Sequence, residues 1–122
     1  MTLFQTILII SALTASVAAE ELPLVVEDST GYWEWSRNDP PEYPKGAIRS
    51  RTTGFVSVVY TINSKGRIQD IEIMESEPEG VFDKATLRAL RKVRFRPTDS
   101  NQKRQPVRVP FTMKFNLHGN GP

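Results

Sequence analysis

Apolar and polar residues alternate most regularly near the C-terminal end of the chain. From Val107 to Leu117 every odd-numbered residue is apolar, and the even-numbered residues are polar or proline. This period of two predicts a β-strand with one buried face. Pro106 and Pro110 have no backbone N–H to donate to a neighbouring strand. The pattern therefore predicts a strand at a sheet edge, with these prolines facing away from its neighbour.

A second alternating region predicts a β-hairpin. Residues 54–62 are β-branched and aromatic, a turn containing glycine follows, and residues 67–75 return as a second strand. The apolar positions slip from even to odd numbers after Ile68. One extra residue in a β-bulge causes such a slip, and we expect it at Gln69 or Asp70.

Helical spacing replaces the alternation after residue 82. Asp83 is the expected N-cap, with Phe82 before it and Leu87 after it forming a hydrophobic staple. Cations fill the rest of this helix and concentrate near its C-terminal end, where the helix dipole favours them. We expect Pro97 to stop the helix, because a proline pushes the residue before it, here Arg96, out of the α region.

The order of these elements predicts the fold class. A short helix is expected within Tyr43–Arg49, with Pro44 at its first position. The chain then reads helix, strand, strand, helix, strand. This order predicts a small α+β domain of two layers, in which a three-stranded antiparallel sheet packs against a helix. We expect the domain to occupy residues 43–118.

Residues 1–19 carry no charged side chain and are typical of an exported protein. The apolar stretch Leu3–Leu13 is shorter than the roughly 20 residues that span a bilayer, and small residues follow it. We expect a signal peptide cleaved after Ala18 or Ala19, and a periplasmic product. The alternative is a weak N-terminal anchor in the inner membrane, with the remainder on the periplasmic side.

Residues 20–42 are acidic and contain several prolines, which predicts a connector and not a core element. Tyr32, Trp33 and Trp35 nevertheless lie within four positions of this segment. A solvated linker gains nothing from two tryptophans. They either pack onto the sheet of this protein or form an exposed anchor for a partner.

Composition restricts the chemistry that the chain can perform. It has no cysteine, and His118 is its single histidine, so thiolate nucleophiles and clusters of His or Cys metal ligands are excluded. No nucleophile, phosphate-loop or metal-ligand spacing is present. We therefore predict no catalytic residue, no metal site and no cofactor. The net charge of +2 implies no particular partner, and we expect no nucleic-acid binding.

Between Tyr43 and Leu117 the sequence resembles the C-terminal domain of the TonB family of periplasmic energy transducers. The resemblance lies in the joint order of short motifs. These motifs are Tyr43-Pro44 with Ala47, Gly54-Phe55-Val56, Gly66-Arg67-Ile68, Glu75-Ser76 with Pro78 and Gly80, Phe82-Asp83, Ala89-Leu90-Arg91-Lys92, Arg94-Phe95-Arg96-Pro97 and Pro106-Val107.

This resemblance implies a module that binds the TonB box, an extended peptide of outer-membrane receptors for siderophores and similar nutrients. Such a peptide adds main-chain hydrogen bonds to an exposed edge strand. The expected peptide-binding residues are Val107, Arg108, Val109, Phe111, Thr112 and Met113. By the same match, Glu42, Tyr43 and Pro44 would contact the receptor, with Glu42 standing where the family often has glutamine.

The sequence leaves three roles open. A binding module would engage a TonB-dependent outer-membrane receptor or another envelope protein, alone or together with a full-length transducer. An anchored transducer would also need a motor complex, and neither a long Pro-rich spacer nor a motor contact is recognisable here. A structural protein would pair its own sheet edges into a homodimer.

Overall fold

A computed structural model of the chain describes residues 22–117, so the expected signal peptide and His118 lie outside the described residues. The elements in chain order are β1 (Leu24–Val25), β2 (Trp33–Arg37), α1 (Lys45–Arg49), β3 (Gly54–Ile62), β4 (Ile68–Glu77), α2 (Asp83–Lys92), β5 (Arg94–Pro97), a 3-10 turn (Asp99–Asn101) and β6 (Val107–Phe115). Within this range, no helix is both long and apolar enough to cross a membrane.

Four strands form the main sheet in the order β1-β6-β3-β4. β3 is antiparallel to both β4 and β6, whereas the two-residue β1 runs parallel to β6. β2 and β5 form a separate antiparallel ladder. The α+β class is confirmed, but the sheet has one strand more than the three expected. The β2·β5 ladder was not expected either.

The central β3·β6 pair has an uninterrupted register from Gly54 opposite Phe115 to Ile62 opposite Val107. Paired residues therefore share a face of the sheet along the whole length of both strands. The inner face carries the apolar residues of both strands and packs against α2. The main buried residues of this core are Val56, Val58, Tyr60, Ile62, Phe82, Leu90, Val93, Val107, Val109 and Phe115.

The N-terminus of α2 differs from the expected one. The N-cap is Phe82, since the Thr86 N–H donates to the Phe82 carbonyl at 3.0 Å, and the Asp83 side chain makes no capping bond. Phe82 is fully buried and stacks on Phe115, with 4.3 Å between the ring centroids. Burial of this ring, and not a carboxylate cap, fixes the start of the helix. With Phe82 as the N-cap, the residue before the cap is Val81 and the fourth helical residue is Thr86. The expected staple between Phe82 and Leu87 was therefore wrong.

The C-terminus of α2 also differs, because the helix ends at Lys92 and not at Pro97. Val93 is already extended, with ψ of 143°, and the next four residues form β5 against β2. This turn out of the helix lets Phe95 stack on Trp35, with ring centroids 4.9 Å apart. Tertiary packing thus overrides the local helical preference.

The hairpin carries the expected bulge and a second one. Register shifts by one residue between Glu72 and Gln69, and Asp70 adopts a φ of 52°, so the predicted bulge position is confirmed. Another shift leaves Met74 as the extra residue, and it was not anticipated. Met74 is well exposed, so its side chain breaks no alternation in the core.

The segment expected to be a connector contributes to the core. Trp33 is 1% exposed, and its indole N–H donates to the Gln105 carbonyl at 2.9 Å. The neighbouring Tyr32 carbonyl accepts bonds from the Thr98 N–H and the Asn101 side-chain amide. The connector prediction is therefore wrong for this part of the chain, since distant residues supply the partners that order it.

Gly66 allows a stability prediction. Its φ is 79°, and a Cβ there would lie 2.2 Å from the Phe95 carbonyl oxygen. We expect Gly66→Ala to lower the free energy of unfolding by about 2 to 4 kcal/mol, through left-handed strain and displacement of β5. Gly46→Ala is the control, because nothing lies within 4 Å and α1 gains a better helix former. If Gly66→Ala and the original chain had equal free energies of unfolding in urea, this interpretation of Gly66 would be contradicted.

Candidate functional site

The outer edge of β6 is covered only at its beginning. The Leu24 N–H donates to the Pro106 carbonyl at 3.0 Å, and the Val26 N–H donates to the Arg108 carbonyl at 2.9 Å. The sequence predicted Val107 and Arg108 at a sheet edge. In the structure β1 covers them, so this part of the prediction is wrong. Because backbone groups alternate in direction along a strand, the even-numbered residues of β6 point their N–H and carbonyl groups outwards.

Pro110 explains why β1 is so short. A continued parallel ladder would need the N–H of residue 110 as the donor to the Val26 carbonyl, and proline has none. The chain then turns away, and the Thr30 N–H donates to the Asp28 carboxylate at 2.9 Å. Bonds from the hydroxyl and amide of Thr30 lower the pKa of Asp28.

Beyond Pro110 the edge of β6 is open within residues 22–117. The described residues supply no strand beside the second half of β6, where Thr112 and Lys114 direct their N–H groups outwards. The carbonyls of Pro110 and Thr112 point the same way. This open edge, the outward side of 110–115, therefore presents alternating donors and acceptors in the arrangement that an added strand needs.

An apolar groove runs beside the open edge on the inner side of the sheet. It has a volume of about 410 Å³ and lies between β6, α2 and the segment that follows β2. Its lining residues are Trp35, Asn38, Asp39, Pro40, Pro41, Ala89, Leu90, Val93, Phe111 and Met113. The open edge and the groove adjoin through Phe111 and Met113, so a strand added to the edge would lie over the groove.

Aromatic side chains support one end of the groove. The Trp35 ring lies edge-on to Phe111 at 6.3 Å between centroids, and Tyr60 lies 6.0 Å from the same ring. Burial raises the pKa of Tyr60, so its phenol stays protonated and contributes no charge. Trp35 itself is 43% exposed. It contacts the core with one part of its ring and leaves the rest accessible from the groove.

The six residues predicted on β6 fall into three sets. Val107 and Val109 are buried in the core. Arg108 is held on the outer face of the sheet by a 2.7 Å ion pair with Glu72 and a bond to the Asp70 carbonyl. The other three remain at the open half of the strand, where Phe111 and Met113 line the groove and Thr112 is exposed.

The second predicted group, Glu42 to Pro44, borders the site without entering it. Glu42 is exposed and lines a smaller groove beside Arg88 of α2. The Tyr43 ring packs edge-on against Phe82 and Phe115, and its hydroxyl donates to a backbone carbonyl. Pro44 precedes α1 directly. Tyr43 thus has a structural role, and of this group the structure exposes mainly Glu42.

Sequence reasoning missed the wall of the groove opposite β6. Trp35 and the paired prolines Pro40 and Pro41 were assigned to the connector, although they face β6 across the groove. A signal was present in the alternation Trp33-Glu34-Trp35-Ser36, which places both tryptophans on one face of a short strand. Its partner strand β5 was read as helix, so the ladder could not be recognised.

The opposite sheet edge, formed by β4, is less suited to strand addition. Two bulges interrupt its register, and its exposed residues include Glu72, Glu75 and Glu77. Bulges and charges are common means of protecting an edge from unwanted pairing. The two edges of the sheet therefore differ, and the regular one is that of β6.

Comparison with known proteins gives consistent matches to one family. The model of the Gram-negative bacterial TonB protein C-terminal family matches residues 39–117. Protein TonB of Pseudomonas aeruginosa is 45% identical over 78 residues, which cover 62% of this chain and 23% of that protein. Protein TonB of Escherichia coli is 30% identical over 84 residues, covering 69% of this chain and 34% of that protein. The chain thus spans about a quarter to a third of the length of these relatives.

The fold is also similar to a solved structure. The solution NMR structure of the Pseudomonas aeruginosa TonB C-terminal domain superposes with a TM-score of 0.63 at 32% identity. The match covers 80% of this chain and 96% of that one. Sequence and structure comparisons therefore agree over the region that contains the open edge and most of the groove.

Proposed function

The chain belongs to the TonB C-terminal family, and from this membership we propose that it binds an extended peptide of an outer-membrane receptor along the open edge of β6. The peptide adds as a further strand and is held mainly by main-chain hydrogen bonds. The chain would act in the cell envelope, in TonB-dependent transport of siderophores or similar nutrients.

The observation that carries this proposal is the pairing of β1 with β6. The outer edge of β6 already accepts an extended segment over Val107 and Arg108, in parallel orientation. The remaining half of the same edge continues with the same register and has no strand beside it in the described range. A peptide bound there continues an existing ladder and requires no rearrangement of the sheet.

The backbone groups define the length of the bound peptide. In parallel orientation, one peptide residue donates to the Pro110 carbonyl and accepts from the Thr112 N–H. The residue two positions later donates to the Thr112 carbonyl and accepts from the Lys114 N–H. About five peptide residues span this edge at roughly 3.3 Å each. The proposal therefore concerns a short motif and not a folded partner surface.

Binding of short receptor peptides to the purified chain tests the proposal. We expect peptides from the periplasmic segments of TonB-dependent receptors to bind in isothermal titration calorimetry. A matched peptide methylated at the two donating backbone nitrogens should bind at least tenfold more weakly, because it loses two hydrogen bonds and introduces two methyl groups at the strand interface. Equal affinity of both peptides would contradict strand addition.

β1 covers the beginning of the β6 edge, next to the proposed peptide site. This gives a further prediction. A chain that begins at Glu27 exposes the Pro106 and Arg108 carbonyls, to which β1 bonds in the intact chain. We expect it to bind a receptor peptide that is long enough to reach these carbonyls about three- to tenfold more tightly than a chain that begins at Leu22, since the edge gains hydrogen-bonding groups. Equal or weaker binding would mean that the peptide does not use this part of the edge.

A further inference from the structure

We infer that the groove beside the open edge is a side-chain subsite, which selects extended peptides with apolar residues at two alternate positions, and that Trp35 sets this selectivity. The inference rests on the proposed function and deepens it. Main-chain bonds alone accept almost any sequence, so discrimination between peptides requires side-chain pockets.

Strand geometry fixes which peptide residues reach the groove. Residues directly opposite each other in neighbouring strands place their side chains on the same face of a sheet. Phe111 and Met113 point to the inner face and line the groove. The peptide residues opposite these two therefore also point into it, whereas the residue between them, opposite Thr112, points to the outer face. This result holds for either direction of the peptide.

The lining determines what kind of side chain is accepted. α2 contributes Ala89, Leu90 and Val93, and β6 contributes its two inward residues, all of them apolar. Burying a small aliphatic side chain against these five residues is favourable, whereas a polar side chain would lose water there. The polar residues of the lining, Asn38 and Asp39, belong to the segment after β2. The groove is thus suited to valine, isoleucine or leucine at both alternate positions.

The segment that already occupies the edge has the same pattern. Val26, which follows β1, is partly buried and packs against the core, whereas Val25 is 83% exposed. The inward position carries an apolar side chain and the outward position faces solvent. A peptide that continues this ladder meets the same inner face further along β6, which is why we assign it apolar inward residues.

Trp35 forms one wall of the groove, and it lies before residue 39, where the family match begins. Its ring rests on Phe95 and Phe111, and this support holds it in position while leaving 43% of the residue exposed. A rigid, partly exposed aromatic ring is a common anchor in binding sites.

Two synthetic peptides of seven residues test the inference, both made of threonine with a lysine at each end. One has valine at the third and fifth positions, and the other has serine there. We expect the purified chain to bind the valine peptide about twentyfold more tightly, and Trp35→Ala to reduce this ratio to about threefold. Ser36→Ala is the control, because Ser36 lies on the same strand, is exposed and lies outside the groove, so it should leave the ratio unchanged.

Tryptophan fluorescence supplies a second readout. The valine peptide should shift the emission of the intact chain to shorter wavelength as Trp35 loses water, and the shift should disappear in Trp35→Ala. The remaining Trp33 is buried and reports that this variant is folded.

Four outcomes separate the inference from the proposed function. A preserved twentyfold ratio in Trp35→Ala would overturn the role of Trp35. Equal affinities of both peptides for the intact chain would overturn the subsite, but strand addition would stand. Tighter binding of the serine peptide would overturn the apolar selectivity. If receptor peptides and both synthetic peptides fail to bind, the proposed function fails, and the inference with it.

Discussion

Thr112→Pro should abolish detectable binding of the receptor peptide while leaving the fold intact. The outward N–H of Thr112 is the central donor of the open edge, and proline removes it and places its ring where the added strand would lie. The strand already tolerates proline at position 110, which has the same orientation in the ladder. We expect the peptide affinity to fall at least thirtyfold and the melting temperature to change by less than about 5 °C.

Two control variants make this experiment specific. Thr112→Val keeps the N–H and should bind as the original chain does, although it loses the 3.1 Å contact between the Thr112 and Ser57 hydroxyls. Val109→Pro should instead destabilise the protein by about 3 kcal/mol, because the N–H of Val109 faces β3 and belongs to the central ladder. A folded Thr112→Pro variant with unchanged peptide affinity would contradict binding at this edge.

Trp33→Ala should be among the most destabilising single substitutions in the described part of the chain. It removes a fully buried side chain, leaves a cavity and deprives the Gln105 carbonyl of its 2.9 Å donor. We expect the free energy of unfolding to fall by about 3 to 5 kcal/mol. In a domain of this size that corresponds to a melting temperature lower by roughly 15 to 25 °C.

Trp35→Ala is the matched control for that loss. Trp35 lies two residues away on the same strand but is 43% exposed, so its removal should cost only about 1 kcal/mol. The melting temperatures of these two variants together test whether the segment before residue 39 belongs to the folded unit. Similar melting temperatures for Trp33→Ala and the original chain would mean that this segment is an accessory to the fold and not a part of its core.

The sequence predicted the elements whose patterns are local. The alternation in β6 and the hairpin of β3 and β4 follow from period-two spacing, and the bulge at Asp70 follows from a slip in that spacing. The orientation of Pro110 away from β3 also follows from the sequence, since proline cannot donate to the ladder. These features depend on short segments and their nearest neighbours.

The features that sequence reasoning missed depend on contacts between distant residues. Nothing in the residues around β1 shows that they pair with a strand more than 80 residues later. The helical cations between Lys92 and Arg96 concealed β5, whose extended form is stabilised by the packing of Phe95 on Trp35. The groove needs three separate segments at once, so local periodicity could not predict it.

Amide hydrogen exchange, measured with and without a bound receptor peptide, tests the central claim most directly. In the free chain the outward amides of Thr112 and Lys114 should exchange rapidly, whereas those of Phe111 and Met113 are already protected by pairing with β3. We predict that the peptide slows exchange at Thr112 and Lys114 and leaves β4 unchanged. Protection that develops along β4, with none at these two amides, would contradict peptide binding at the edge of β6.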